Sequence, residues 1–320
     1  MFIDGRWSEN WQPIQKSDQQ GRFLRQSSTV RNWITPDGHP GPTGTGGFKA
    51  EADRYHLYVA LICPWACRTL AVRALKRLKE LISVSIVSPI MTDQGWQFAN
   101  FPGATTDQLY QAEYLQQLYL RHDPNFTGRV TVPVLWDKQQ NCMVNNESAD
   151  IIRIFNSPFR GITSDTPDLY PPQLREEIDR LNQQIYQQLN NGVYRAGFAS
   201  SQQAYEEAFD DVFTCLDALE KRLQKGPFLF GEQLTETDIR LFVTLIRFDA
   251  AYYGLFKCNR QQIADYPFLS RYLAALYAVP ELRSTVNLDH IKQGYYAIKA
   301  LNPSGVVPKG PKLDYLSRPR

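Results

Sequence analysis

His56-Leu57-Tyr58-Val59-Ala60-Leu61-Ile62-Cys63-Pro64-Trp65-Ala66-Cys67-Arg68 is the stretch on which the reading of this chain turns. An alternating apolar run from Tyr55 to Ile62 reads as a strand, it ends in Cys63-Pro64, and a helical pattern opens at Trp65. Pro64 suits the first helical turn, because its missing N–H had no intrahelical partner to lose. A thiol at that junction faces the open N–H groups and the positive dipole end of the helix, which favour its thiolate. A free cysteine titrates near ~8.5, so lowering it to about 6.5 leaves it mostly anionic at neutral pH. The alternative is a buried structural cysteine, since cysteine also serves as a small hydrophobe. Cys67 follows one helical turn later, in a Cys-x-x-x-Cys spacing rather than the Cys-x-x-Cys of a dithiol oxidoreductase. It points along the buried face, and a Cys63–Cys67 disulfide requires the helix start to distort. Cys63 therefore reads as a monothiol that takes its second thiol from a substrate.

Outward from this junction, the helix runs over about 65–80, with Leu70, Ala74, Leu75 and Leu78 at helical spacing, and a strand follows at 83–88. An insertion with short helices occupies roughly 92–128. Strands at Val130 to Trp136 and Met143 to Asn145 come next, then a helix from Glu147 to Asn156. The order β-α-β, insertion, β-β-α is a thioredoxin-like layout. Pro133 lies inside the apolar run Thr131-Val132-Pro133-Val134-Leu135, which breaks the strand rule unless it serves a cis turn or sits on an edge strand. In thioredoxin-like folds such a proline lies against the catalytic cysteine and presents backbone groups to a thiol ligand.

Beyond about Thr166 the pattern is helical with no strand alternation, in Leu174 to Leu189, Gln202 to Leu223, Thr235 to Arg247 and Pro267 to Tyr277. Thr235-Glu236-Thr237-Asp238 is a capping-box-like start with a shorter acid. The expected organisation is a polar, Gly/Pro-rich extension over 1–50, an α/β thioredoxin-like domain over 51–160, an all-helical domain over 161–290 and a tail over 291–320. The extension carries Trp7, Trp11, Phe23, Trp33 and Phe48, so it is expected to pack on the body. The tail, with Tyr295 and Tyr296 near its start, is expected to fold back toward the active site.

A formal charge of +2 over 320 residues points to no nucleic-acid or membrane partner. Five cysteines at irregular spacings make no disulfide framework, and four histidines, none at ligand spacing, argue against a metal. The start has no secretory pattern, and no apolar run approaches the ~20 residues a membrane span needs. The reducing cytoplasm is the expected compartment.

A monothiol thioredoxin-like half followed by an all-helical half is the glutathione transferase architecture. The chain resembles the glutathionyl-hydroquinone reductases, the Xi class of that superfamily, over nearly its whole length. The carrying segments are Gly41-Pro42-Thr43-Gly44, Arg54-Tyr55-His56-Leu57-Tyr58, Cys63-Pro64-Trp65-Ala66, the run from Gly128 to Asp137, and Asn145-Asn146-Glu147-Ser148. In the helical half they are Asn191-Gly192-Val193-Tyr194-Arg195-Ala196-Gly197, Arg247-Phe248-Asp249 and Phe256-Lys257-Cys258-Asn259. The resemblance implies that glutathionyl-hydroquinone and glutathione give hydroquinone and glutathione disulfide, through a Cys63–glutathione mixed disulfide that a second glutathione resolves.

It also implies glutathione-binding positions at Trp96, Arg129, Val130, Thr131, Val132, Glu147 and Ser148. Glu147 and Ser148, at a helix N-terminus, suit the γ-glutamyl amine and carboxylate, or act simply as helix caps. The catalytic tyrosines map onto Tyr194, the ring-protonating acid/base, and onto Tyr252 and Tyr295, expected to approach the thiolate and donate hydrogen bonds that favour its charged form, with Tyr253 and Tyr296 adjoining them among 17 tyrosines. A homodimer, with glutathione as co-substrate and no metal, belongs to the same implication. Two departures stand out: Cys67 where the family usually has His, and Gly294 before Tyr295-Tyr296 where it usually has His. Cys67 is thus a candidate to trap Cys63 under oxidation. Rival readings are a conjugating transferase, which uses Ser or Tyr in place of cysteine, a broader thiol transferase or dehydroascorbate reductase, and a non-enzymatic glutathione-binding protein.

Overall fold

The computed structural model describes residues 1–8, 17–163 and 166–317. Trp11, expected to pack on the body, lies outside the described residues. The chain divides into two compact units, Met1–Gln12 with Ser27–Pro167, and Pro13–Gln26 with Asp168–Arg320.

The first unit opens with a short hairpin, β1 (Phe2–Ile3) and β2 (Arg6–Trp7), followed later by β3 (Tyr55–Val59), α1 (Pro64–Leu75) and β4 (Ile82–Ile86). After the insertion come α2 (Gln116–His122), β5 (Val134–Asp137), β6 (Cys142–Asn145) and α3 (Ser148–Asn156). The four-stranded sheet has the order β4-β3-β5-β6. Its β3–β4 pair is parallel, which requires the α1 crossover, and the β3–β5 and β5–β6 pairs are antiparallel. All five residues of β3 are buried, as a central strand covered on both faces must be.

Several boundaries depart from the periodic reading, each for a local reason. β3 stops at Val59, three residues early, because Cys63 N–H donates to Ala60 O at 3.0 Å and closes a turn. Leu61 and Ile62 stay buried without joining the ladder, so the apolar pattern outruns the strand. α1 ends at Leu75 rather than near 80. Arg77 takes a left-handed φ of 54°, its N–H reaching Ala74 O and that of Leu78 reaching Arg73 O, a Schellman stop. β5 begins only at Val134, not Val130. The Val132–Pro133 peptide is cis, and Thr131 gives its N–H to Tyr119 Oη (3.1 Å) while accepting that hydroxyl's proton at its carbonyl (2.8 Å).

The Gly41–Gly44 loop folds beneath Trp33, whose Nε1 donates to Thr43 Oγ1 at 2.9 Å. A Cβ on Gly41 would stand 2.4 Å from Trp33 Cβ, so only glycine fits. Just ahead of that loop the chain runs along β6, with Asn32 N–H donating to Val144 O and Asn146 N–H to Val30 O.

The second unit contains α4 (Arg175–Ile185), α5 (Gly192–Gly197), α6 (Gln202–Arg222), α7 (Glu236–Arg247), α8 (Tyr253–Leu255), α9 (Pro267–Ala278), α10 (Pro280–Arg283) and α11 (Leu288–Tyr296). A wide π turn at Tyr186–Asn190 breaks the stretch Leu174 to Leu189 that reads as one helix in sequence, and a second, Phe248–Tyr252, follows directly on α7, which ends at Arg247 as expected. The Thr235/Asp238 capping box is present, with Asp238 accepting the Thr235 N–H at 2.8 Å. Segment 17–26 belongs to this unit: Arg22 pairs bidentately with Glu207 at 2.8 and 3.0 Å, and Ser200 N–H donates to Gly21 O.

Candidate active site

Cys63 is the N-cap residue of α1, in extended conformation, with Pro64 starting the helix. Its side chain is half-buried, and Sγ lies 3.7 Å from Val132 O, the carbonyl before the cis proline. A thiol here faces the open end of a twelve-residue helix. Cys67 is buried and its Sγ points to Leu61 O at 3.4 Å, while its N–H completes the first helical turn on Cys63 O. No disulfide joins them.

The predicted ligand positions of this unit cluster at two places. Arg129 is half-buried, Val130 and Val132 are buried, and Thr131 is exposed while its backbone is clamped by Tyr119. Glu147 is the N-cap of α3, its carboxylate accepting from Ala149 N–H (3.0 Å), Ser28 Oγ (3.0 Å) and Ser148 Oγ (3.4 Å). Glu147 is therefore a helix cap, as the plainer reading allowed, and its carboxylate oxygens still offer lone pairs to an ammonium. Beneath it, Arg31 forms a bidentate pair with Asp150 at 2.6 Å, Asn145 Nδ2 donates to the same carboxylate, and Asn145 Oδ1 accepts Glu147 N–H. Trp96 is half-buried in the insertion, its carbonyl accepting Leu115 N–H.

In the second unit the three candidate tyrosines form one chain of hydroxyls. Tyr194 Oη lies 2.6 Å from Tyr295 Oη, which lies 2.9 Å from Tyr252 Oη. Tyr194 comes from α5, Tyr252 from the π turn after α7, and Tyr295 from α11. Tyr253 and Tyr296 are half-buried and lie outside this chain, so the geometry separates the adjoining pairs. Burial holds Tyr252 and Tyr295 well above the ordinary phenol range, and they stay neutral donors. Tyr194 is only half-buried. An aromatic wall surrounds it: Phe198 is stacked at 6.3 Å, Phe23 at 6.5 Å, and Phe256 meets it edge-on at 5.4 Å. This second group can donate a proton and spread the charge left behind.

Residues 62–157 match the glutathione S-transferase N-terminal domain, and 202–275 match its C-terminal domain. The chain is 53% identical to glutathionyl-hydroquinone reductase YqjG of Escherichia coli (strain K12) over 315 residues, 98% of this chain and 95% of that one. It belongs to the glutathionyl-hydroquinone reductase family, within the glutathione transferases. Glutathionyl-hydroquinone reductase PcpF of Sphingobium chlorophenolicum is 47% identical, over 97% of this chain and 96% of that one. The glutathione-bound structure of YqjG has a TM-score of 0.90 at 51% identity, covering 98% and 97% of the two chains. The Xi glutathione S-transferase of Phanerochaete chrysosporium has a TM-score of 0.88 at 47% identity, covering 93% and 97%.

Two residues of one shared segment, Arg54 and His56, hold the sheet together. Arg54 is buried and holds Asp137 through two nitrogens, one at 2.5 Å, pinning the open ends of β3 and β5 together. His56 is fully buried between Ser83 Oγ (2.7 Å) and Ser85 Oγ (2.9 Å) on β4, and burial lowers its pKa to about 4. Residues that sequence reasoning passed over brace the candidate positions within each unit: in the first, Tyr119 under Thr131 and Ser28 and Arg31 at the start of α3; in the second, Arg25 beside Tyr194. Their signal is a partner more than a hundred residues away for Ser28, Arg31 and Arg25, with |i−j| of 119 for Ser28–Glu147 and Arg31–Asp150 and 166 for Arg25–Asn191.

Proposed function

We propose that this protein reduces glutathionyl-hydroquinones with glutathione. Cys63 thiolate attacks the sulfur of the conjugate, forming a protein–glutathione disulfide as the aromatic carbon leaves with the bonding pair. Tyr194 gives its proton to that carbon, and the hydroquinone departs. A second glutathione then attacks the mixed disulfide, releasing glutathione disulfide and restoring the Cys63 thiolate, while its thiol proton returns to Tyr194. Overall one conjugate and one glutathione become one hydroquinone and one disulfide.

The observation that carries this reading is a cysteine, in place of serine or tyrosine, at the N-cap of α1 in a glutathione transferase fold. A hydroxyl can stabilise the thiolate of glutathione for conjugation, but only a sulfur can take up glutathione as a disulfide. In this scheme the Val132 backbone pairs with the cysteinyl part of glutathione. Glu147 and Ser148 take the γ-glutamyl amine and carboxylate, Arg129 meets a second carboxylate, and Trp96 covers the ligand. Arg129, Val130 and Thr131 form the strip along which the tripeptide lies. Tyr252 and Tyr295 support the phenol that gives up its proton. The names of YqjG and PcpF and the glutathione held by YqjG support the same assignment. Among the described residues no helix is long and apolar enough to cross a membrane, and no group of metal-ligating side chains is assembled. A homodimer working in a reducing cytoplasm completes the proposal, supported by the family and by a thiol that must stay reduced.

The test is purified protein with glutathionyl-menadiol or a glutathionyl-benzohydroquinone and excess glutathione, followed by chromatography for glutathione disulfide. One disulfide per hydroquinone is expected, with no turnover by Cys63→Ser. Conjugation of chlorodinitrobenzene far exceeding this activity would overturn the proposal in favour of a conjugating transferase.

A further inference from the structure

The second unit places a cation on the ring of Tyr194, and no step of the proposed reaction uses it. Arg25 lies in segment 17–26, well away from Tyr194 in sequence. Its guanidinium carbon sits 4.7 Å from the centroid of the Tyr194 ring and 5.4 Å from that of Phe23. Its Nε donates to Asn191 Oδ1 at 2.7 Å, and Asn191 is the residue that precedes α5, the helix carrying Tyr194. The planar group is therefore fixed at its edge by an amide and laid on an aromatic face, an arrangement arginine makes and lysine cannot copy in full.

We infer that Arg25 is a positioning residue for proton donation: it acts through Tyr194, stabilising the phenolate that forms when the Tyr194 proton passes to the departing ring carbon. The inference rests on the proposed reductase chemistry. A phenolate shares its charge between the oxygen and the ring carbons. A cation over the ring face therefore gains attraction on ionisation that a contact to the hydroxyl alone would miss. Tyr295, at 2.6 Å, serves the oxygen; Arg25 serves the ring. The two supports come from opposite ends of the chain, α11 and segment 17–26, and meet on one side chain. No atom of Arg25 exchanges protons or electrons in the cycle, because a guanidinium stays charged throughout.

Separating the two half-reactions tests this. In the first, enzyme and a glutathionyl-benzohydroquinone are mixed without free glutathione, and one equivalent of hydroquinone is followed. In the second, mixed disulfide made beforehand with glutathione disulfide is mixed with glutathione, a step in which Tyr194 begins protonated. Arg25→Gln should slow the first half-reaction about tenfold and leave the second within twofold of wild type. Arg25→Lys should recover part of the first rate, because it restores charge without the planar edge contact. Arg22→Gln is the control: it breaks the other tether of the same segment, the pair with Glu207, and should leave the first half-reaction near the wild-type rate.

The inference is overturned if Arg25→Gln runs the first half-reaction at the wild-type rate, if Arg25→Lys is no faster than Arg25→Gln, or if Arg22→Gln slows it equally. The last result would make segment 17–26 a packing element only. Failure of the wild-type protein to release hydroquinone would instead refute the reductase reading itself, and the two failures are told apart by that one control.

Discussion

Tyr295 is the middle member of the hydroxyl chain, and replacing it with phenylalanine separates two consequences that the structure ties to one oxygen. The ring and its contacts with Tyr252 and Phe256, at 5.4 and 5.6 Å, are kept. Two hydrogen bonds are lost, the 2.6 Å one to Tyr194 and the 2.9 Å one to Tyr252. The stability cost falls on Tyr252, whose fully buried hydroxyl loses that partner, at about 1–3 kcal/mol. The catalytic cost falls on Tyr194. Its phenolate would lose a charge-assisted bond, about 1.5–3 kcal/mol, which is roughly 10- to 150-fold on the ring-protonating half-reaction. Tyr252→Phe should slow that step less, since Tyr252 also acts on Tyr194 directly but the close 2.6 Å contact to the Tyr194 hydroxyl belongs to Tyr295. Adding Tyr252→Phe to Tyr295→Phe should return part of the lost stability, because the stranded hydroxyl goes with it. Stopped-flow single turnovers read the first effect and urea unfolding the second. A Tyr295→Phe enzyme that releases hydroquinone at the wild-type rate would refute the chain as a catalytic device. So would a Tyr252→Phe enzyme slowed as severely as Tyr295→Phe.

Two further outcomes follow from the first unit. Glu147→Gln keeps an oxygen to cap Ala149 N–H but loses the negative charge, so the glutathione KM should rise about tenfold while the melting temperature barely moves; an unchanged KM would leave Glu147 as a cap alone. His56 has a folded pKa lowered to about 4 against an ordinary 6.5, so the unfolded chain binds the proton first as pH falls. Stability should drop on acidification between those two values, by about 2 kcal/mol from pH 7 to pH 5, and His56→Gln should remove that share of the slope in urea unfolding followed at both pH values.

How much of this was legible in the sequence depends on the range of the interactions involved. The β3–α1 junction was readable because alternation, a proline at the first helical turn and a 3.6-residue pattern are all local. The end of β3 was not, because Leu61 and Ile62 remain buried after the ladder stops, and burial is what the pattern reports. The late start of β5 depends on a hydroxyl from α2 gripping Thr131, and no local pattern encodes that. The π turn at Tyr186–Asn190 was invisible because one extra residue in a turn leaves the apolar spacing on either side intact. The shared segments pointed to Cys63, Glu147 and Tyr194 as candidates and the wider resemblance to Tyr252 and Tyr295, whose hydroxyls join that of Tyr194 while those of Tyr253 and Tyr296 lie outside the chain. Those same segments could not distinguish a ligand from a brace. Arg54 and His56 stand beside the reactive stretch in sequence, yet one anchors Asp137 and the other links two serines of a neighbouring strand.

The order of burial among the three phenols decides which of them can bear charge. Ionising Tyr252 or Tyr295 would place an anion in a site closed to water, and burial drives both well above the ordinary phenol value. Tyr194 keeps partial access to solvent, has the Tyr295 hydroxyl at 2.6 Å and a guanidinium on its ring. In the proposed reaction the proton leaving the cluster therefore comes from Tyr194, and the two buried tyrosines orient and solvate what remains. Three equally exposed phenols would offer three acids with no preference among them. Three equally buried ones would offer none at neutral pH. The gradient from closed interior to half-open face is what lets the proposed reaction use one hydroxyl as the donor and the other two as its fixed solvent.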